Sequence, residues 1–207
     1  MEFDPERDGM RPPPLTHNCY SALVMPRPIG WVSTISAEGV VNLAPYSFSN
    51  SVAGDPPCVM FCANGSHPEG GRKDSVVNAE ATGEFVFNLC TYDLREQMVA
   101  TSAHLPRSVD EMAAAGLAAA PSVKVRPPRV AASPIHLECQ YLQTVQLPTG
   151  PGGTENYTVF GRVVQIHISD AVLTDGMVDV QKLRPLARLG YLDYGVIGEV
   201  FRMARPD

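Results

Sequence analysis

The sequence lacks any apolar run approaching the roughly 18 to 20 residues that a membrane-spanning helix needs. Its start, Met1 to Pro14, is charged and proline-rich, without the apolar stretch of a signal segment. A soluble, unexported, cytoplasmic protein is expected, with no membrane among its partners. There is no C-x-x-C and no H-x-x-x-H, so zinc held by ligands close in sequence is excluded. Cys58 and Cys62 share one parity of an apolar run, but at about 3.3 Å per residue they stand roughly 13 Å apart on a regular strand, too far for one ion. Gly150 to Gly153 matches neither G-x-G-x-x-G nor Walker A, and no G-x-S-x-G elbow supports a hydrolase. Charge is also scarce. Only 18% of residues are charged and the net charge is -6, which argues against tracking a nucleic-acid backbone and leaves a small-molecule partner as the default. The 5 cysteines are odd in number and without framework spacing, which fits a reducing compartment.

What the sequence does have is turn-forming residues. Nineteen prolines and seventeen glycines are spread over 207 residues, enough chain for one domain, and this favours many short elements. After an arm over residues 1–14, expected to be flexible, strand-like runs appear at 21–25, 28–36, 40–47, 57–63 and 84–91. Residues 37–39 form a hairpin turn between the second and third. Residues 135–147 alternate, with Ile135, Leu137, Cys139, Tyr141, Val145 and Leu147 on one parity and His136, Glu138, Gln140 and Gln146 on the other, which predicts a strand with one buried face. A glycine-rich hairpin loop leads to a second long strand over 156–169, and a last strand is expected over 196–203. Helices are few: one over 76–81 capped by Asp74 or Ser75, one over 93–103, and one opened by the capping box from Ser108 to Glu111 and ended by Gly116. No regular β-α alternation is present, so the expected fold is mainly β, an antiparallel barrel with a few short peripheral helices.

The polar residues left inside strand-like segments are Ser33, Thr34, Asn42, Ser47, Ser49 and Asn50, joined by the basic pair Arg72-Lys73. The segment from Gly71 to Asn78 places Lys73 beside a helix N-terminus, where unpaired N–H groups and the dipole favour a phosphate. A solvated Lys73 and a Ser75 that only caps the helix account for the same residues. Trp31, the single tryptophan, suits a ligand wall, a core position or a subunit contact. Thr101, Ser102 and His104 suit a helix C-terminal turn or a cofactor wall.

Pro26-Arg27-Pro28-Ile29-Gly30-Trp31-Val32-Ser33-Thr34, Asn42-Leu43-Ala44-Pro45-Tyr46-Ser47-Phe48-Ser49-Asn50, Asp55-Pro56-Pro57 and Lys73-Asp74-Ser75 follow one another in an order and spacing that resemble the flavin reductase-like family. That family comprises FMN-binding split barrels, including flavoredoxin and the reductase components of two-component monooxygenases. The resemblance continues through Thr82 to Leu89, Ala100 to Ala103, Pro127 to Val130, Ser133-Pro134 and Arg188-Leu189-Gly190, covering residues 15 to 204. It implies a split β-barrel over residues 15–207, a homodimer, and FMN rather than FAD near the subunit interface. By the same resemblance Lys73 and Ser75 hold the phosphate with Arg72 as helper, Ser33 and Thr34 add hydroxyls to the phosphate or ribityl chain, and Ser47, Phe48, Ser49 and Asn50 lie along the flavin with Trp31 at its border. NADH or NADPH would then pass a hydride to flavin N5, with oxygen, free flavin, a monooxygenase or an electron-transfer protein as acceptor. A carrier of the flavoredoxin kind, or a flavin-binding dimer without catalysis, is the rival implication. Tyr191 and Leu192 depart from the smaller residues of many relatives, which bears on nicotinamide access.

Overall fold

The computed structural model describes residues 1–150 and 152–206; Pro151, within the glycine-rich loop, and Asp207 lie outside them. Seven antiparallel strands form the main sheet: β1 Gly30–Ile35, β2 Val41–Tyr46, β3 Ser49–Gly54, β4 Pro57–Asn64, β5 Glu84–Leu89, β6 Ile135–Leu147 and β7 Asn156–Ile168. Their order across the sheet is β2-β1-β5-β6-β7-β4-β3. The two edge strands, β2 and β3, are therefore neighbours in sequence, separated only by Ser47 and Phe48. A flat sheet of seven strands spaced about 4.8 Å apart could not bring its edges within reach of a two-residue link, so the sheet must curl. The edges do not pair with each other. The barrel is split at Ser47–Phe48, where the Phe48 carbonyl accepts the Cys62 N–H at 2.7 Å.

Inside the curl, Val32, Val59, Phe61, Phe85, Val159 and Cys139 pack with Val76 and Ala79 of helix α1, Asp74–Thr82. A Cβ on Gly161 would stand 2.3 Å from the Phe85 ring, so the β6–β7 ladder approaches the core ring only because this residue has no side chain. A second core joins Trp31 and Leu43 to Met98 of helix α2, Arg95–Ala100, and to Met112 of helix α3, Glu111–Ala114. A small three-stranded sheet links Arg27–Pro28 to Leu186–Arg188 and Tyr194–Val196. Close by, Gly190 lies so near the short helix Tyr20–Leu23 that a Cβ would meet that of Ala22 at 2.5 Å.

Several expected elements differ. Residues 20–23 form a helical turn rather than a strand, with Asn18 accepting the Tyr20 N–H at 3.0 Å. The last strand is Tyr194–Val196, paired with the three residues Leu186–Arg188, instead of 196–203. The arm includes a short helix, Pro5–Asp8, capped by Asp4, and no residue of 1–14 is buried. Strand β6 does not bury its odd face alone. Glu138 and His136 are buried, while Val145 and Leu147 are exposed. The cause is the 121–126 segment folded over that face: the Glu138 carboxylate accepts the N–H groups of Val123 at 2.8 Å and Lys124 at 2.6 Å, and meets His167 Nε2 at 2.6 Å. Burial alone would push this carboxyl up, but the two amides and His167 outweigh it and hold the group below the usual carboxylate range.

Candidate functional site

The split between β2 and β3 opens into a cleft of about 250 Å³. One wall is the end of β2 and the link after it, Ala44 to Phe48; Cys62 and Asn64 at the end of β4 form the next. Lys73, Asp74 and His67 close one end, and the turn after α2, Thr101 to Leu105, lies across with Glu111 of α3.

Lys73 is the N-cap residue of α1 and contributes no side-chain cap, so its ammonium is left for the cleft. Burial pushes its pKa down while the nearby Glu111 carboxylate pulls it up. Neither Asp74 nor Ser75 caps the helix as the sequence suggests. The Asp74 carboxylate pairs with the Arg107 guanidinium and lies 3.5 Å from His67 Nε2. Arg107 also donates to the carbonyls of Gly70 at 2.7 Å and Arg72 at 3.2 Å, fixing the loop that leads into α1. With Asp74 compensated, the N–H groups of Asp74 and Ser75 remain without acceptors among the described residues. An ammonium and two free amides at the positive end of a nine-residue helix make a donor set suited to a phosphate monoester.

Glu111 faces this donor set. Its Oε2 accepts the Leu43 N–H at 2.7 Å, tying α3 to β2, which is why the capping box fails: the carboxylate is taken by β2, and Asp110 caps instead, accepting the Ala113 N–H at 2.9 Å. Burial raises the Glu111 carboxyl to about 7, against the lowering effect of the Leu43 amide; Asp110 adds to the rise and Lys73 opposes it. A carboxyl that burial raises to about 7 therefore lies in the same cleft as the half-buried Lys73 ammonium.

Of the residues expected at the site, the structure brings Asn42, Ser47, Phe48 and Lys73 to the cleft. The hydroxyls of others are engaged within the protein. Thr34 and Ser75, both fully buried, are bridged by Asn42, whose Nδ2 donates to Thr34 Oγ1 at 3.3 Å and Ser75 Oγ at 2.8 Å; Asn78 adds a bond to Thr34 at 3.1 Å. Ser33 donates to the Pro128 carbonyl at 2.6 Å and accepts from Asn88. Ser49 accepts the Gly30 N–H and donates to the Pro28 carbonyl, at 2.9 and 3.0 Å. Trp31 is buried in the second core with its Nε1–H on Thr101 Oγ1 at 2.9 Å, so it supports the cleft wall instead of lining it. Arg72 pairs with Glu80 at 2.6 Å and stacks over Tyr157, away from the cleft. Asn50 is exposed and lines a neighbouring cavity with Ser47, Phe48 and Ser49. Thr101 ends α2 as its C-cap, and Thr101, Ser102 and His104 line the cleft. Tyr191 packs on His17 with ring centroids 5.7 Å apart, and neither it nor Leu192 lines the cleft. Sequence reasoning missed Asn64, His67 and Glu111 as cleft residues; Glu111 reaches the cleft by its bond to the distant Leu43 amide.

The fold is an open antiparallel barrel, split beside a cleft that has an ammonium and two free amides at one end and a strand backbone as its wall. The chain belongs to the flavin reductase-like family: the pattern of the flavin reductase-like domain matches residues 21–186. It is 39% identical over 185 residues to an uncharacterised protein of Halalkalibacterium halodurans, spanning 88% of this chain and 87% of that one. Nitrilotriacetate monooxygenase component B from Bacillus cereus is similar in structure, with a TM-score of 0.87, 28% identity and 98% of both chains covered. The 2-nitrobenzoate 2-nitroreductase NbaA of Pseudomonas fluorescens has a TM-score of 0.77, 27% identity and coverage of 90% of this chain and 88% of that one.

Proposed function

We propose that the cleft binds FMN and that the protein is an NAD(P)H-dependent flavin reductase that hands electrons to an acceptor. The observation that carries this reading is the placement of Lys73 and the free amides of α1 at one end of a cleft whose wall is the Ala44–Phe48 backbone, in a chain of this family. Lys73 with the Asp74 and Ser75 amides would hold the phosphate. Ser47 and Phe48 would lie along the ring, where backbone N–H groups favour negative charge on its carbonyl and nitrogen edge. FMN supplies the hydride and electron chemistry, so no side-chain nucleophile is required. The chain's own part is to orient: the Asn42 bridge holds α1 against β1 and β2, and Arg107 holds the loop before it. Glu111 can hold or release a proton beside the phosphate end.

A homodimer is part of this proposal, because Ile166 and Ile168 on β7, with Phe201 and Met203 beyond the last strand, are exposed apolar side chains that a second copy would cover. An anaerobic absorption titration with FMN and then NADH or NADPH tests the reading. Bound flavin that bleaches promptly supports a reductase, and bound flavin that stays oxidised replaces it with an electron carrier reduced by a partner protein. Absence of flavin binding removes the cofactor assignment.

A further inference from the structure

Arg27 lies outside the donor set of the cleft, in the three-stranded sheet, opposite Arg188 in register. It is 6% exposed. Its Nη1 donates to the carbonyls of Ser21, Val24 and Leu189, the last two at 2.7 and 2.9 Å, and so pins the turn before the sheet to the segment that follows Arg188. The other edge of the guanidinium makes no hydrogen bond among the described residues. Arg27 Nε has no hydrogen-bond partner and is the one such buried side-chain atom among the described residues. Nη2 makes no hydrogen bond either among those residues. Nε and Nη2 together form the side fork, two parallel N–H groups whose spacing matches a carboxylate.

The charge balance points the same way. In a chain of net charge -6, neither Arg27 nor Arg188 pairs with a carboxylate among the described residues. Burial and then the Arg188 charge push the Arg27 pKa down, with Tyr20 opposing. A buried, unpaired cation beside a second cation is costly, and an anion would relieve both the charge and the unused donor. A cavity of about 310 Å³ adjoins it, lined by Arg27, Val24, Phe48, Met60 and Leu147. The guanidinium stands 5.4 Å from the centroid of the Phe48 ring, which also lines the main cleft. The size is at the lower end for small-molecule sites and too small for a dinucleotide.

We propose that this cavity binds a flat, apolar organic acid, an aromatic monocarboxylate, with its carboxylate on the Arg27 Nε–Nη2 fork and its body against Phe48. The site stands on its own geometry; Ser47 to Asn50 also line this cavity, so on the flavin reading the bound acid would lie directly against the cofactor's ring.

Calorimetric titration of the full chain with benzoate, with benzamide as the neutral isostere and with inorganic phosphate tests it. Benzoate is expected to bind about tenfold or more tighter than benzamide, as a charge-assisted bidentate pair requires. Arg27→Lys keeps a cation that can donate to the three carbonyls but has no fork, and is expected to erase the preference. Leu147→Trp changes a strand-end residue that is 42% exposed and fills the cavity; it is expected to weaken benzoate about tenfold or more with no change in Tm. Should Arg27→Lys fail to fold, Leu147→Trp decides. Equal affinity for benzoate and benzamide, no binding at millimolar benzoate, phosphate binding as tightly as benzoate, or benzoate affinity unchanged by Leu147→Trp each overturns the proposal. Flavin fluorescence quenching in the same samples reads FMN binding separately: benzoate binding without FMN removes the flavin reading alone, and FMN binding without benzoate removes this one alone.

Discussion

Two polar regions flank helix α1 and its cleft, and they differ in what their side chains have left over. Beneath the helix, Thr34, Asn42, Ser75 and Asn78 are buried and bonded to one another. At the mouth, Lys73 and Ser47 line the cleft beside Asn42, with two backbone amides still free. Both regions consist of residue types that suit a phosphate or ribityl chain. The difference is satisfaction. A buried donor with a partner stabilises the fold, and removing its partner leaves the full desolvation penalty behind. A donor with none is available to a ligand. Residue type thus identifies the neighbourhood of a site, and residual hydrogen-bonding capacity identifies its surface.

The sharpest way to break this contrast is Asn42→Ala. Asn42 bridges β2 to both Thr34 and Ser75, so its loss takes the donor from the buried Ser75 hydroxyl and leaves Thr34 with Asn78 alone; about 1 to 3 kcal/mol of stability should be lost, read by thermal or urea unfolding. A loss under about 0.5 kcal/mol would show that the network is not what holds α1. Lys73→Ala should do the opposite. Its ammonium caps nothing, so Tm should hold, while FMN affinity falls roughly 10- to 100-fold, the worth of one charge-assisted contact to phosphate. Unchanged FMN affinity in a folded Lys73→Ala protein would move the phosphate elsewhere.

The contrast also explains how much was legible in the sequence. Strands with alternating or continuous apolar residues, such as Glu84–Leu89 and Asn156–Ile168, are visible because burial imposes a period of two. Ser49–Gly54 is not visible: its small, mostly exposed side chains carry no pattern, and only pairing with Pro57–Asn64 makes it a strand. Residues 21–25 carry β-branched and apolar side chains, yet the Asn18 side chain accepting the Tyr20 N–H and the close approach to Gly190 favour a helical turn. At the site, Lys73 is legible because its place before a helix is a local fact. The hydroxyls of Ser33, Thr34 and Ser75 are not, since their partners come from β2, β5, α1 and the 128–130 segment. Glu111 and Arg27 are least legible of all. Each looks locally like a capping or motif residue, and each takes its meaning from the Leu43 amide or from an empty fork.

A smaller effect sharpens the comparison by pH. Because burial raises the Glu111 carboxyl to about 7, the group is largely neutral below that pH and ionised above it. Ionisation puts a negative charge in the cleft that would hold the phosphate, so FMN affinity should weaken a few-fold as pH rises from about 6 to about 8. Glu111→Gln should flatten the profile. For stability the sign is the same: the folded pKa lies above the unfolded carboxylate value, so the folded state holds the extra proton between about 4 and 7 and loses relative stability as pH rises through that window. Glu138 runs the other way, since its lowered pKa contributes stability at neutral pH that disappears as acid protonates the group.

The smallest expected effect belongs to Arg72, which differs from Lys73 by one position. Its guanidinium pairs with Glu80 at 2.6 Å and stacks over Tyr157 with 35% of its side chain exposed. Such surface pairs are worth about 0 to 1 kcal/mol. Arg72→Ala should therefore shift stability by less than about 1 kcal/mol and leave FMN affinity within about twofold, measured beside Lys73→Ala in the same buffer. A large loss of FMN affinity in Arg72→Ala would mean that the Glu80 pair opens when the ligand arrives. In that case residual capacity in the ligand-free fold would be a poor guide to this site. Equal behaviour of the wild type and Arg72→Ala would mean that, of two adjacent cations, the one already paired is scaffold and the one without a partner is the ligand's.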